Sequence, residues 1–225
     1  MHFLPKSKKT ASLMPNGRRG RRPRRPEHCR KIFINVGADE TNRPFKIGDS
    51  MKKIYIVITY TGTNLSKIIK YWTHAEFSHV SISLDQELER LYSFGRLNPY
   101  NPFWGGFVHE GIDKGTFKRF YKTTARIYSI DVTDEQYGKI ENTIKNIEEN
   151  KKDYKFNIIG LFAVGINKRI ERKNYFYCAE FVKYVLETGG IETNLPKIVA
   201  PDDFKHIENK TLVYEGVLRK YNKKT

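Results

Sequence analysis

Cysteine is scarce in this sequence: two among 225 residues, Cys29 and Cys178, in unlike surroundings. A disulfide framework is therefore not expected, and a reducing compartment fits better. Long apolar runs are missing too. None approaches the ~20 residues that a membrane-spanning helix needs, and the first residues lack the apolar centre of a secretory signal. The expectation is a cytoplasmic protein with no transmembrane segment. Acidic residues are in deficit, 25 Asp and Glu against 41 Lys and Arg, which gives a formal charge of +16. None of the six histidines pairs with cysteine or carboxylate at a metal-ligand spacing. Neither a metal nor an organic cofactor is expected.

What is present divides the chain in two. Residues 1–50 hold 13 Lys and Arg against 4 Asp and Glu, a net of +9. The stretch GRRGRRPRRPEHCRK places six arginines within residues 18–25, broken by Gly and Pro. Such a segment repels itself and shows no periodicity, so residues 1–50 are expected to be a disordered basic extension. IFINV (32–36) is a candidate short strand. An anionic partner, nucleic acid or membrane, would suit this arm. A targeting presequence is disfavoured, because the Pro-Arg cluster opposes an amphipathic helix. A dispensable extension, or a translation start at Met51, are the plainer readings.

From Met51 the pattern is that of one folded α+β domain, residues 51–225, without repeats or low complexity. IYIVITY (54–60) is a buried-strand run. A helix should come next, capped by Thr63 or Asn64, with Leu65, Ile68, Ile69 and Trp72 at helical spacing. HVSISLD (79–85) alternates: Val80, Ile82 and Leu84 to one face, His79, Ser81, Ser83 and Asp85 to the other. RLYSFGR is the next strand. Residues 97–112, rich in Pro, Gly, Asn and aromatics, are expected to form an irregular loop. ARIYSIDV (125–132) is a strand, and Thr133 with Gln136 forms a capping box for the helix carrying Tyr137, Ile140, Ile144 and Ile147. The short apolar segment FNIIGLFAVGI (156–166) comes next. YCAEFVKYVLETGG (177–190) is a helix with Phe181, Val182, Val185 and Leu186 inward, ended by Gly189–Gly190. TLVYEGVL (211–218) closes the domain as a strand.

Two residues in this pattern suit catalysis. Cys178 falls at a helix start, where free N–H groups and the dipole favour a thiolate, which is the nucleophilic form. Basic Arg172 and Lys173 lie nearby. His79 opens an alternating strand on the face away from the aliphatic residues, and imidazole can take a thiol proton and return it to a leaving group. A lone buried cysteine is more often inert, and each residue alone is a weak signal.

Together, FSHVSISLD, then LYSFGR, then YCAEFVKYVL some 100 residues later, resemble the circularly permuted papain-like branch of the NlpC/P60 superfamily. That branch includes the YiiX/YaeF-type enzymes and, more distantly, lecithin:retinol acyltransferase-like proteins. In ordinary NlpC/P60 domains the cysteine helix precedes the histidine strand; here the order is reversed. The resemblance implies an antiparallel sheet packed against a cysteine-bearing helix, with Cys178 as nucleophile and His79 as base. It places a third polar residue on the next strand to orient the imidazole, and Ser93 falls closest. Tyr92, Asp85 and Glu110 are alternatives. Tyr60, Thr61 and Tyr177 either line the cleft or simply pack, and FWGGF (103–107) is either a substrate wall or a folded-down loop. The implied activity is a cysteine peptidase, amidase or acyltransferase acting on a peptide, amide or lipid-ester substrate through a thiol acyl-enzyme. A non-catalytic binding module on the same fold, which Ser93 would suit, and nucleic-acid binding through the Arg-rich arm are the rival readings.

Overall fold

The computed structural model describes residues 51–223 apart from 74, 99, 165–167, 169 and 171. The basic segment 1–50, with IFINV and Cys29, lies outside the described residues. The eight described strands are β1 (Met51–Tyr60), β2 (His79–Ser83), β3 (Leu91–Asn98), β4 (Asn101–Glu110), β5 (Thr124–Thr133), β6 (Lys155–Phe156), β7 (Tyr175–Phe176) and β8 (Lys210–Val217). The helices are α1 (Asn64–Thr73), α2 (Gly115–Arg119), α3 (Asp134–Glu149), α4 (Ile158–Val164) and α5 (Cys178–Thr188), with 3-10 turns at Pro201–His206 and Leu218–Lys223. The fold is mixed α+β. Six strands make one antiparallel sheet in the order β4-β3-β2-β1-β5-β8, and β6 and β7 form a short parallel pair.

β1 explains its own apolar run. It is an inner strand between β2 and β5, so both of its faces are covered. Ile54, Ile56 and Ile58 join a core with Val80 and Ile82 of β2 and the inward faces of α3 and α5. Tyr55 and Val57 point the other way, into a second core with Leu91, Phe117, Ile127 and Leu218. The four inward residues of α5, Phe181, Val182, Val185 and Leu186, are wholly buried. At about 1.5–3 kcal/mol each, they fix this helix against the sheet. The capping box of α3 is present: Gln136 N donates to Thr133 Oγ1 at 3.2 Å, and Thr133 N donates to Gln136 Oε1 at 3.0 Å. Thr63 caps α1, accepting from Ser66 N at 3.1 Å.

The expected loop at 97–112 is corrected. Most of it is β4, a ten-residue strand paired along its length with β3, from Leu91 opposite Glu110 to Asn98 opposite Asn101. Its Pro and Gly content misleads because β4 is the sheet edge, where Pro102 is tolerated without an N–H. Gly105 is there for close approach: a Cβ on it would fall 2.7 Å from Phe156 Cγ and 2.9 Å from the Gly95 carbonyl oxygen. Phe107 and His109 both stack on Tyr92, which gives the strand its packed face.

Among the described residues, no helix is long and apolar enough to cross a membrane.

Candidate active site

Cys178 is the first residue of α5. Tyr177 before it has extended geometry and caps the helix, with its backbone N–H donating to Glu180 Oε2 at 3.2 Å. The thiol therefore sits where the first-turn N–H groups have no helical partner and the dipole is positive. Only 4% of the residue is exposed.

His79 opens β2, on the other side of the same site. Its Nε2 is 3.0 Å from Glu110 Oε1, and the two side chains are 17% and 9% exposed. Ser81, two residues along the strand, donates its hydroxyl to Glu110 Oε2 at 2.5 Å and lies 3.3 Å from His79 Nε2. Gly95 of β3 makes room for this group. A Cβ there would lie 3.3 Å from His79 Cε1, so a larger residue would press on the ring, with Glu110 Oε1 at ordinary contact distance, 3.5 Å.

The charge state of His79 is set by these neighbours. Burial of the ring pulls its pKa down. The Glu110 carboxylate, hydrogen bonds to Cys178 and Glu110, and the charge of Cys178 outweigh burial and raise the pKa from 6.5 to about 10. At neutral pH the arrangement thus favours an imidazolium. The structure brings the two sequence-predicted residues, Cys178 and His79, to one site, with Glu110 hydrogen-bonded to His79.

Both open onto a cleft of about 560 Å³, part of it open to solvent. Phe94, Phe117, Phe156 and Leu161 form its apolar walls, and Thr61, Ser66, Ser78, Arg96 and Thr116 supply polar atoms. A largely apolar cleft with a few convergent polar groups and a strongly shifted histidine is the usual form of a small-molecule or peptide site.

Ser93 does not orient the imidazole, which corrects the expected third residue. Ser93 is wholly buried, and its hydroxyl donates to the Val80 carbonyl oxygen at 2.8 Å. That bond ties β3 to β2, while Glu110 from β4 reaches His79. Ser93→Ala is accordingly expected to lower stability by about 1 kcal/mol while changing turnover less than about twofold. Urea unfolding and a turnover assay on one preparation check this. A large loss of turnover at unchanged stability would return Ser93 to the site.

The other named residues separate cleanly. Asp85 organises the β2–β3 turn, accepting from the N–H groups of Glu89 and Arg90, each at 2.8 Å. Tyr92 packs between Phe107 and His109. Tyr177 donates its hydroxyl to the Val199 carbonyl oxygen at 2.8 Å and packs in the core, and Tyr60 is half-buried under Lys70 Nζ. Thr61 does line the cleft. Within FWGGF, Phe107 is core and Trp104 is exposed; neither lines the cleft, whose wall is built by Phe156 instead. Ser81, Gly95 and Arg96 were not picked out by sequence. The signal that would have found Glu110 first is strand alternation in FVHE, hidden by reading that segment as loop.

Among the described residues, no group of three or more His, Cys, Asp and Glu is arranged to hold a metal ion. No family model matches the chain, and neither a curated protein nor a solved structure matches it.

Proposed function

We propose that the chain is a cysteine hydrolase or acyltransferase of the permuted papain-like type, acting on an amide or ester bond through an acyl-enzyme. The observation that carries this reading is the His79 imidazole, hydrogen-bonded to Glu110 and lining one cleft with Cys178, the first residue of a helix. The His-strand-before-Cys-helix order of the permuted NlpC/P60 branch and an antiparallel sheet carrying the histidine and packed against the cysteine helix support it further.

In this mechanism the thiol proton already rests on His79 as the imidazolium, and the Cys178 thiolate paired with it attacks the scissile carbonyl carbon. First-turn amides of α5 face the developing oxyanion. The imidazolium then gives its proton to the leaving nitrogen or oxygen, the C–N or C–O bond breaks, and a thioester remains on Cys178. Water, or an acceptor alcohol or amine, loses a proton to His79 and attacks the thioester. The acid is released, or the acyl group is passed on, and the thiol is restored. Glu110 stabilises the imidazolium at each half-step, and Ser81 holds Glu110 in place.

The rival reading, a binding module without chemistry, drew on Ser93 as a poor orienter. With a carboxylate on the ring that ground is gone. Labelling with iodoacetamide at pH 7 separates the two. Cys178, identified by peptide mapping, is expected to react at least roughly tenfold faster than an unperturbed thiol, and His79→Ala should remove the advantage. A Cys178 no more reactive than a free thiol would leave only the binding module.

A further inference from the structure

The cleft holds a charge that the acyl-transfer mechanism leaves unused. Arg96 lies on β3 beside Gly95 and lines the same cleft as Cys178 and His79. Three other arginines of the fold meet carboxylates: Arg90 with Glu141, Arg126 with Glu76 and Glu215, and Arg219 with Asp113. Arg96 meets none among the described residues. Among the described residues it makes one hydrogen bond, from Nη2 to Thr63 Oγ1 at 2.7 Å. Thr63 is neutral and is itself fixed, because Oγ1 also accepts from Ser66 N at 3.1 Å and lies 3.3 Å from Thr61 Oγ1. The guanidinium is thus held by one edge, with most of its five donors uncommitted.

Leaving such a charge half-buried and uncompensated is costly. Burial, and then the nearby Arg119, both disfavour the charged form of Arg96. A fork of N–H donors matches a carboxylate or a phosphate, which it can bind through two parallel hydrogen bonds. Phe94, two residues earlier on the same strand, is one of the apolar walls of this cleft, with Phe156 and Leu161.

We infer that Arg96 is the anion-recognition element of the cleft, and that the substrate of Cys178 is an acyl compound bearing a carboxylate or phosphate. This rests on the catalytic reading of the cleft. The apolar part of the substrate packs against Phe94, Phe156 and Leu161 while the anion meets Arg96.

A pair of small alkylating agents tests the proposal on the intact chain. Iodoacetate and iodoacetamide lose iodide to the same thiolate and differ in one carboxylate. The ratio of their rates at Cys178, measured by peptide mapping, should be roughly tenfold or more higher in the wild type than in Arg96→Gln, as expected for a charged hydrogen bond. Arg96→Lys should keep part of the preference. Because both agents report on the same folded molecules, partial misfolding of a variant cancels in the ratio. Protection of Cys178 from iodoacetate by succinate identifies a carboxylate as the recognised group, and protection by inorganic phosphate identifies a phosphate. Equal ratios in wild type and Arg96→Gln, or protection by neither anion, would overturn the proposal. If Cys178 proves inert to both agents, the catalytic reading fails on its own. The anion site is then decided by calorimetric titration of wild type and Arg96→Gln with succinate and with phosphate: binding that needs Arg96 supports it, and no such binding overturns it.

Discussion

Cys178→Ala is expected to lower turnover by at least about 10⁴-fold, the largest effect any single replacement in this chain should have. In the proposed mechanism Cys178 is the group that carries the acyl intermediate. The remaining amides of α5 and the cleft can bind a substrate but cannot split its reaction into two easier steps. The structural cost should be small, on the order of 1 kcal/mol, because the change removes one sulfur atom from a core residue that also lines the cleft. Turnover of p-nitrophenyl acetate, with melting temperature as a control, measures both. His79→Ala should be nearly as damaging. The double variant should be no worse than Cys178→Ala alone, since both residues serve one chemical step. Losses that multiply in the double variant would mean that the two act independently, and the acyl-enzyme mechanism would fall.

The two halves of this pair were legible for different reasons. Cys178 is marked by its downstream neighbours: Phe181, Val182, Val185 and Leu186 define a helix face, and that face places the helix start at the cysteine. His79 is marked by alternation: Val80 and Ile82 join the core with α5, and the histidine falls on the other face of the strand. Both signals are local. The third member was hidden because it is not. Glu110 lies 31 residues from His79, on a strand whose Pro102, Gly105 and Gly106 carry the composition of a loop. An edge strand relaxes the demand for N–H donors, and Gly105 is required by Phe156, a residue from a different element altogether. Neither fact is visible to a reading that takes the chain one window at a time. Ser93 was the natural choice along β3, yet its hydroxyl had a nearer acceptor in the Val80 carbonyl. Arg96 was missed for a similar reason: a single arginine at the end of a strand is ordinary until the cleft forms around it.

Glu110→Gln should narrow the pH range of activity from the alkaline side. In the folded chain the His79 pKa stands at about 10, above the 6.5 of an unperturbed histidine, and the Glu110 charge is the foremost influence raising it. In the proposed mechanism the imidazolium is the general acid in leaving-group departure, so the wild-type alkaline limb of kcat/KM should lie near pH 10. Without the carboxylate, burial is opposed by Cys178 alone, and the limb should move down toward pH 6.5. At pH 8.5 the variant is then expected to be at least roughly tenfold slower than wild type, with the gap closing as pH falls to about 6.5. Stability should have the same sign. A group whose folded pKa is raised contributes fully below its unfolded pKa, and that contribution is lost as pH rises through the folded value. The wild type should therefore exceed Glu110→Gln in urea stability by on the order of 2–3 kcal/mol at about pH 6.5, with the difference shrinking as pH approaches about 10. Glutamine keeps the size and one hydrogen bond of glutamate, so the change isolates the charge. Parallel pH profiles for the two proteins would show that the carboxylate does not govern the histidine, and that Ser81 and the strand ends alone hold the ring in place.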